Sequence, residues 1–174
     1  VGPDDGIYYT DKAGEIVLDG LEPGTTVIVR EIKTVEGYVL DGTPQDILIK
    51  AGTVQQLTFW NKRAGTLVIQ KKDSVTGALI AGAQFQVTYA NGGYVDNDNG
   101  HLSSNGLYTT DDKGEIRISG ITGTVVVKET KPAPGYVIDQ STQTQTVTVN
   151  PMDTQTLTFL NEPLCSLTLT KLDS

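Results

Sequence analysis

Cysteine, histidine and large aromatic residues are scarce in this chain of 174 residues. Because Cys165 is the single cysteine, the chain cannot form an internal disulfide, the bond that stabilises many small secreted domains. We interpret Cys165 as a half-buried structural residue rather than a reactive thiol. His101 is the single histidine and no nucleophile motif accompanies it, which argues against a Ser-His-Asp hydrolase. One Trp and three Phe make a thin core, so the fold needs another form of reinforcement.

An excess of basic residues and a long apolar segment are also missing. The net charge of −8 argues against nucleic acid and against anionic membrane surfaces as partners. No stretch is long and apolar enough to span a bilayer, so we expect no membrane insertion of these residues. Helical periodicity is absent as well, which excludes a helical bundle.

Threonine, valine and glycine set the character of the chain. Thr and Val dominate the runs TQTQTVTV and GTVVVKET, and 19 Gly and 7 Pro punctuate the sequence. β-branched residues favour strands, whereas Gly and Pro favour the turns between them. We therefore predict an all-β protein of the sandwich type.

The sequence repeats itself with a period of 100 residues. The segment GIYYTDKAGEIVLDGL begins at Gly6, and its counterpart GLYTTDDKGEIRISGI begins at Gly106. The same offset relates Asn61 in LTFWN to Asn161 in LTFLN. Solenoid and propeller repeats are shorter, so this period indicates tandem domains. The acidic clusters TDKAGE and TDDKGE are predicted to be hairpin turns with a glycine at positive φ.

This period divides the chain into three parts. We predict a partial domain at residues 1–63, a complete domain at 64–163 and the first strand of a third domain at 164–174. The chain is therefore expected to belong to a longer array.

Three polar residues fall on the inward side of predicted strands in the complete domain. Because side chains alternate between the faces of a strand, Lys71 shares a face with Leu67 and Ile69 in LVIQKKD. By the same parity Glu129 in TVVVKE and Asn161 in TLTFLN also point inward. An amine, a carboxyl and a carboxamide would then meet in one apolar interior.

Five ordered motifs of residues 64–163 resemble one known family. The segments LVIQKKD, TGALIAGAQFQV, GLYTTDDKGEI, VVVKETKPAPGYV and LTFLN are similar to the collagen-adhesin B-type (Cna B-type) domain, also called the prealbumin-like domain of Gram-positive adhesins and pilins. The resemblance extends over residues 6–63 and 167–174. It implies tandem prealbumin-like, Ig-like β-sandwich domains.

The resemblance also implies an autocatalytic isopeptide bond within the complete domain. Carried over by position, Lys71 is the nucleophile, Asn161 the electrophile and Glu129 the proton shuttle. No cofactor and no metal are implied. Since each domain would react once, the chain is not expected to be an enzyme.

The partial copies hold unpartnered equivalents of these residues. Glu31 and Asn61 match the glutamate and asparagine in residues 1–63, where no strand carries a lysine, and Lys171 matches the lysine in the last part. Residues 166–172 could therefore pair with a neighbouring chain head to tail, by strand complementation.

The chemistry can also be argued from burial. An apolar interior disfavours the charged forms of lysine and of a carboxylic acid, so such a pair can settle as a neutral amine and a neutral acid. The neutral amine is a nucleophile, and a protonated Glu129 can donate a hydrogen bond to the carboxamide oxygen of Asn161. Fixed positions on adjacent strands supply the effective concentration that the reaction requires.

An ordinary structural role is the alternative for these residues. Lys71 could extend to water or form a simple ion pair with Glu129, and Asn161 could cap a strand end. Lys72 is the competing nucleophile on the opposite face, but its counterpart in the third part is Leu172.

Three functions are compatible with these features. We expect a structural stalk module of an adhesin or pilus-like fibre, extracellular and anchored to the cell wall of a Gram-positive bacterium, with neighbouring repeats as partners. The polar loop at residues 91–106 could instead bind host extracellular matrix or glycan. An accessory β-domain of a secreted enzyme is the third possibility. Within the loop, YVDNDNG at residues 94–100 lacks the ligands of a calcium site, which predicts a plain turn.

Overall fold

The computed structural model describes residues 6–96, 103 and 105–172. These parts of the chain contain strands and no helix, which confirms the predicted all-β class. The strands are β1 (Thr26–Val29), β2 (Tyr38–Val39), β3 (Gln45–Leu48), β4 (Lys62–Arg63), β5 (Gly65–Asp73), β6 (Gln84–Tyr89), β7 (Leu107–Thr109), β8 (Glu115–Ile121), β9 (Gly123–Lys131), β10 (Tyr136–Ile138), β11 (Thr144–Val149) and β12 (Thr154–Pro163).

The chain forms two compact units. Unit 1 comprises Val1–Lys33 and Leu40–Trp60, and unit 2 comprises Thr34–Val39 and Asn61–Ser174. This division is close to the repeat boundary at residue 63, but a short segment of the first repeat belongs to unit 2.

Unit 1 contains one small sheet in which β1 and β3 are antiparallel, with Thr26 opposite Leu48. None of its described residues is fully buried, and Trp60 is 83% exposed. Residues 54–60 align with β12 of unit 2 but form no strand. In unit 2, by contrast, β12 pairs with β5.

Unit 2 contains two four-stranded sheets and one two-stranded pair. One sheet has the strand order β10-β12-β5-β8, the other has the order β11-β9-β6-β7, and β2 pairs with β4. β12 runs parallel to β5, whereas the other pairs are antiparallel. The first and last long strands of the unit therefore lie side by side in the middle of one sheet.

The core of unit 2 lies between its two large sheets. The rings of Phe85 on β6 and Phe159 on β12 meet edge to face, with centroids 4.9 Å apart and planes inclined at 63°. Such aromatic pairs stabilise a core beyond the area that they bury. Two sheets over one apolar core make a β-sandwich, as predicted. The other buried apolar residues of this core are Leu67, Ile69, Ala83, Val87, Val95, Tyr108, Ile116, Ile118, Ile121, Val125, Val127, Ala133 and Val149.

The acidic clusters of both repeats form turns, as predicted. Asp111 Oδ1 accepts hydrogen bonds from two backbone N–H groups of its turn, and Asp11 Oδ1 does the same in the first repeat. Gly114 and Gly14 have φ angles of 69° and 82°. The prediction of a hairpin within one sheet is wrong for residues 106–116, because β7 pairs with β6 while β8 pairs with β5 in the other sheet. This turn carries the chain from one sheet to the other.

Candidate functional site

Lys71 and Asn161 are placed by the two parallel strands at the centre of one sheet. Lys71 on β5 lies opposite Phe159 on β12, and Asn161 lies opposite Asp73, two residues further along. The two side chains share the inner face because each strand alternates its side chains with period two. Leu67, Ile69 and Phe159 occupy the same face and are fully buried, so the polar pair sits at the end of an apolar row.

Glu129 approaches from the opposite sheet. It lies on β9 opposite Phe85 of β6. Its backbone N–H donates to the carbonyl of Gln143 at 2.9 Å, and the Gln143 Nε2 donates back to the Glu129 carbonyl at 2.8 Å. These two hydrogen bonds lie on the side of β9 away from β6, and they fix the backbone of Glu129. The Glu129 side chain can then extend into the core.

The three polar groups meet at one carboxylate oxygen. Lys71 Nζ lies 2.8 Å from Glu129 Oε2, and Asn161 Nδ2 donates to the same oxygen at 3.1 Å. The exposed fractions of the three residues are 0%, 1% and 0%, in the order Lys71, Glu129, Asn161. The amine and the carboxamide therefore share one acidic neighbour in a buried interior.

Two oxygen atoms of the site have no hydrogen-bond partner among the described residues, namely Glu129 Oε1 and Asn161 Oδ1. The sequence-based expectation placed the carboxamide oxygen against the acid. In the structure the amide nitrogen occupies that place, and it also donates to the Leu160 carbonyl at 3.0 Å. The nitrogen that would depart in a condensation is thus the atom in contact with Glu129.

Burial lowers the pKa of Lys71 below the ordinary lysine value of 10.5, while its hydrogen bond and charge interaction with Glu129 partly oppose that shift. The Nζ atom lies 5.9 Å from the centroid of the Phe159 ring, which adds a weak attraction for the charged form. Desolvation is the largest of these effects, so burial shifts the equilibrium of the Lys71 amine toward its neutral form.

The neighbouring Lys72 points to the other face of the sheet. It is half-buried and its backbone bridges to Leu79. This is the orientation that strand parity predicts, and it places the second lysine outside the core that holds Glu129 and Asn161.

The equivalents of these residues in the other copies are Glu31, Asn61 and Lys171. Glu31 lies in unit 1 and is half-buried, while Asn61 and Lys171 lie in unit 2, half-buried and exposed. Asn61 Nδ2 donates to Thr34 Oγ1 at 2.9 Å. The assignment of these three residues to cross-linking stays a prediction.

The interpretation of Cys165 as half-buried is wrong, because its side chain is exposed. It lies in residues 164–172, which are exposed and form no strand. The assignment of residues 164–174 to the first strand of a further domain stays a prediction.

A second polar contact beside the site was missed by the sequence analysis. Tyr136 Oη donates to Asp73 Oδ2 at 3.0 Å, and Asp73 Oδ1 accepts from the backbone N–H groups of Val75 and Thr76. These N–H groups, Thr76 first, lower the pKa of Asp73, and the same Asp73 carboxylate raises the pKa of Tyr136. The sequence carries a signal for this contact, since Lys-x-Asp and Gly-Tyr each recur in a second copy.

The other candidates of the sequence analysis lie partly outside the described residues. His101 and most of YVDNDNG at residues 94–100 are outside, as is much of the loop at 91–106. Within the loop, Tyr94 is 49% exposed and Asp96 Oδ1 accepts the Gly106 N–H. Among the described residues no cluster of three metal-ligating side chains occurs. In the same residues no helix is long and apolar enough to cross a membrane.

Comparison with known proteins gives one family and a set of solved structures. A family model described as SpaA, prealbumin-like fold domain, matches residues 4–63 and 65–163. The Bacillus anthracis TIE protein is 25% identical with a TM-score of 0.53, over 80% of this chain and 25% of that protein. GBS52, the minor pilin of Streptococcus agalactiae, is 22% identical with a TM-score of 0.51, over 94% of this chain and 70% of the pilin. This chain therefore spans about a quarter of the TIE protein. No curated protein matches the sequence.

Proposed function

This chain belongs to the SpaA prealbumin-like fold domain family, and we propose that it is a structural stalk module of a pilus or adhesin on a Gram-positive cell surface. The similarity of its fold to a minor pilin supports this proposal. Its partners would be neighbouring repeats in the fibre. The fibre would lie outside the cell and would be held at the cell wall. The carrying observation is the buried Lys71, Glu129 and Asn161 cluster.

We propose that these residues form an isopeptide bond within unit 2. The neutral Lys71 Nζ attacks Asn161 Cγ, the Nζ–Cγ bond forms, the Cγ–Nδ2 bond breaks, and ammonia leaves. The carbonyl double bond opens to a single bond during the attack and re-forms when the nitrogen leaves. No oxidant or reductant is needed. Glu129 Oε2 is in contact with both nitrogen atoms, so it can accept the proton that Nζ loses and deliver it to Nδ2.

This proton path needs no water and no large movement. The acid is fixed by the opposite sheet and the two reacting groups by adjacent strands, so folding supplies the orientation that makes an amide reactive. Because the product amide stays in place, each unit reacts once.

The bond would provide the reinforcement that the thin core requires. A link from residue 71 to residue 161 closes a loop of about 90 residues, which is worth about 4 to 5 kcal/mol by analogy with a disulfide of that loop length. That is similar to the whole free energy of unfolding of a small domain.

Intact mass spectrometry of the purified chain tests the proposal. We expect the wild-type chain to be lighter than its sequence mass by one ammonia, and peptide mapping to give a branched peptide that joins residues 71 and 161. Lys71→Met should restore the sequence mass, because the nucleophile is gone.

Lys72→Met is the matched control, since this neighbouring side chain faces away from the core. It should keep the ammonia loss. A wild-type chain at its full sequence mass, or a loss that disappears with Lys72 and not with Lys71, is the result that contradicts the bond.

A further inference from the structure

We propose that Tyr136 is a positioning residue that holds Asp73 away from Lys71, so that Glu129 alone receives the lysine. This inference rests on the proposed isopeptide bond and adds a residue that selects the acid. It concerns the Tyr136 and Asp73 contact at the end of the core, beside Asn161.

Asp73 is the nearest alternative acid to Lys71 along the same strand. Both side chains point to the inner face of β5, two residues apart, which separates them by about 6.6 Å along the strand. Asp73 is 7% exposed, so little solvent competes for its carboxylate. A lysine side chain is long and flexible enough to reach a carboxylate at that spacing.

In the structure both oxygens of the Asp73 carboxylate are bound by groups other than Lys71. Oδ1 is held by the N–H groups of Val75 at 2.7 Å and Thr76 at 2.9 Å, in the turn that follows β5. Oδ2 is held by the Tyr136 hydroxyl at 3.0 Å. The turn fixes one oxygen, and the tyrosine hydroxyl binds the other.

Tyr136 reaches Asp73 across one intervening strand of the same sheet. It lies on β10, which pairs with β12 so that Ile138 is opposite Asn161. β12 separates β10 from β5, and the tyrosine side chain therefore crosses the strand of the reacting asparagine to bind Asp73. Tyr136 is also packed against the edge of the core.

The elements of the contact recur with the reacting residues. Lys71-x-Asp73 is repeated as Lys171-x-Asp173, and the pair Gly135 and Tyr136 is repeated as Gly37 and Tyr38. The repeat thus carries an aspartate two residues after the lysine and a tyrosine directly after the glycine. These are the two residues that form the contact.

The charged and titratable groups around Lys71 are few. Glu129 faces it from β9, Asp73 lies on its own strand, Tyr136 comes from β10, and Asp139 acts on it from the end of β10. Asp139 is bound by the Ser141 and Thr142 hydroxyls. Asp73 is therefore the acid that shares the inner face of the lysine's own strand.

The test measures the rate of ammonia loss as a function of pH. Chain dissolved from inclusion bodies in denaturant is refolded at a series of pH values and sampled by intact mass. Tyr136→Phe removes only the hydroxyl, which frees Asp73 Oδ2 to hold the Lys71 ammonium. We expect the midpoint of the pH–rate profile to rise by about one unit or more, and the rate at neutral pH to fall about tenfold.

Asp73→Asn in the Tyr136→Phe background is the matched control, because no second carboxylate then remains to capture the lysine. It should return the pH–rate midpoint to the wild-type value. Asp73→Glu with Tyr136 intact is a second variant, since the longer side chain displaces the carboxylate from its turn, and the same upward shift is expected.

Folding is checked separately by melting each variant in an Asn161→Ala background, where no bond can form. A wild-type chain that never loses ammonia contradicts the proposed bond itself. A wild-type chain that loses ammonia, with Tyr136→Phe and Asp73→Glu both keeping its pH–rate midpoint, overturns the role of Tyr136 alone. A slower rate that Asp73→Asn does not restore also overturns it, because the effect is then one of packing.

Discussion

Lys71 is fully enclosed and has one acid within hydrogen-bond distance, Glu129. Desolvation disfavours the ammonium form more than that acid supports it, and the pKa of the side chain is lowered. At the scale of single residues, the amine is therefore costly to bury in its charged form. Conversion of the amine into an amide removes the titratable group and, with it, the penalty for burying a charge at this position.

The first prediction concerns the pH dependence of the unreacted fold. In Asn161→Ala, Lys71 remains a free amine with a pKa below 10.5, whereas in the unfolded chain it has the ordinary value. Between those two pKa values the unfolded chain binds more protons, so the free energy of unfolding should rise as the pH rises toward 10.5. Denaturant unfolding across this window measures it.

The control for that experiment is Lys71→Met with Asn161→Ala, which has no titrating amine at this position. Its stability should lack the rise. Equal slopes in the two variants would show that the lysine does not titrate with a lowered pKa in the fold.

At the scale of elements, the parallel pairing of β5 with β12 determines what the site can do. In this pairing Asn161 lies opposite Asp73, two residues after Lys71. The first and last long strands of unit 2 are thereby neighbours in one sheet. Gly65 begins β5 at a point where the chain passes close to the turn before β12. A Cβ atom there would lie 2.5 Å from the Asn150 carbonyl oxygen and 2.5 Å from Val149 Cγ1.

We predict that Gly65→Ala destabilises unit 2 by about 1 to 3 kcal/mol, since backbone on both sides must shift to admit the methyl group. Thermal melting in the Asn161→Ala background measures this without the covalent bond. Gly93→Ala is the control, because its new methyl would approach only the Asn91 side chain, at 3.2 Å. Equal melting temperatures for the two variants would contradict the close approach at Gly65.

At the scale of the whole molecule, the proposed bond joins residues near the two ends of unit 2. A pulling force applied through the chain enters at β5 and leaves at β12, and the two strands are linked directly by the bond. The residues between 71 and 161 are then shielded from tension. This arrangement suits a stalk, in which each module transmits force to the next.

Single-molecule stretching gives the corresponding prediction. Lys71→Met should unfold with a gain in length of about 300 Å, the extended length of the 90 or so residues between the two positions. The wild-type chain should lack that step. The control is Lys72→Met, which keeps the bond and should stretch like the wild type. A full unfolding step in the wild type would mean that tension is not carried by a link between residues 71 and 161.

The sequence by itself determined the all-β class, the 100-residue repeat and the inward side of each strand. These depend on local chemistry, namely β-branched residues, turn glycines and the period-two alternation of side chains. Parity alone placed Lys71, Glu129 and Asn161 in the interior, where the structure buries them.

Tertiary structure decided which of these atoms meet. Glu129 comes from the opposite sheet and contacts the amide nitrogen of Asn161 rather than its oxygen, and Tyr136 crosses a whole strand to reach Asp73. Cys165 is exposed and lies in residues 164–172, which form no strand. Contacts between sheets depend on strand order and register over long separations in the chain, and no local pattern encodes the distance between two side chains that different strands carry.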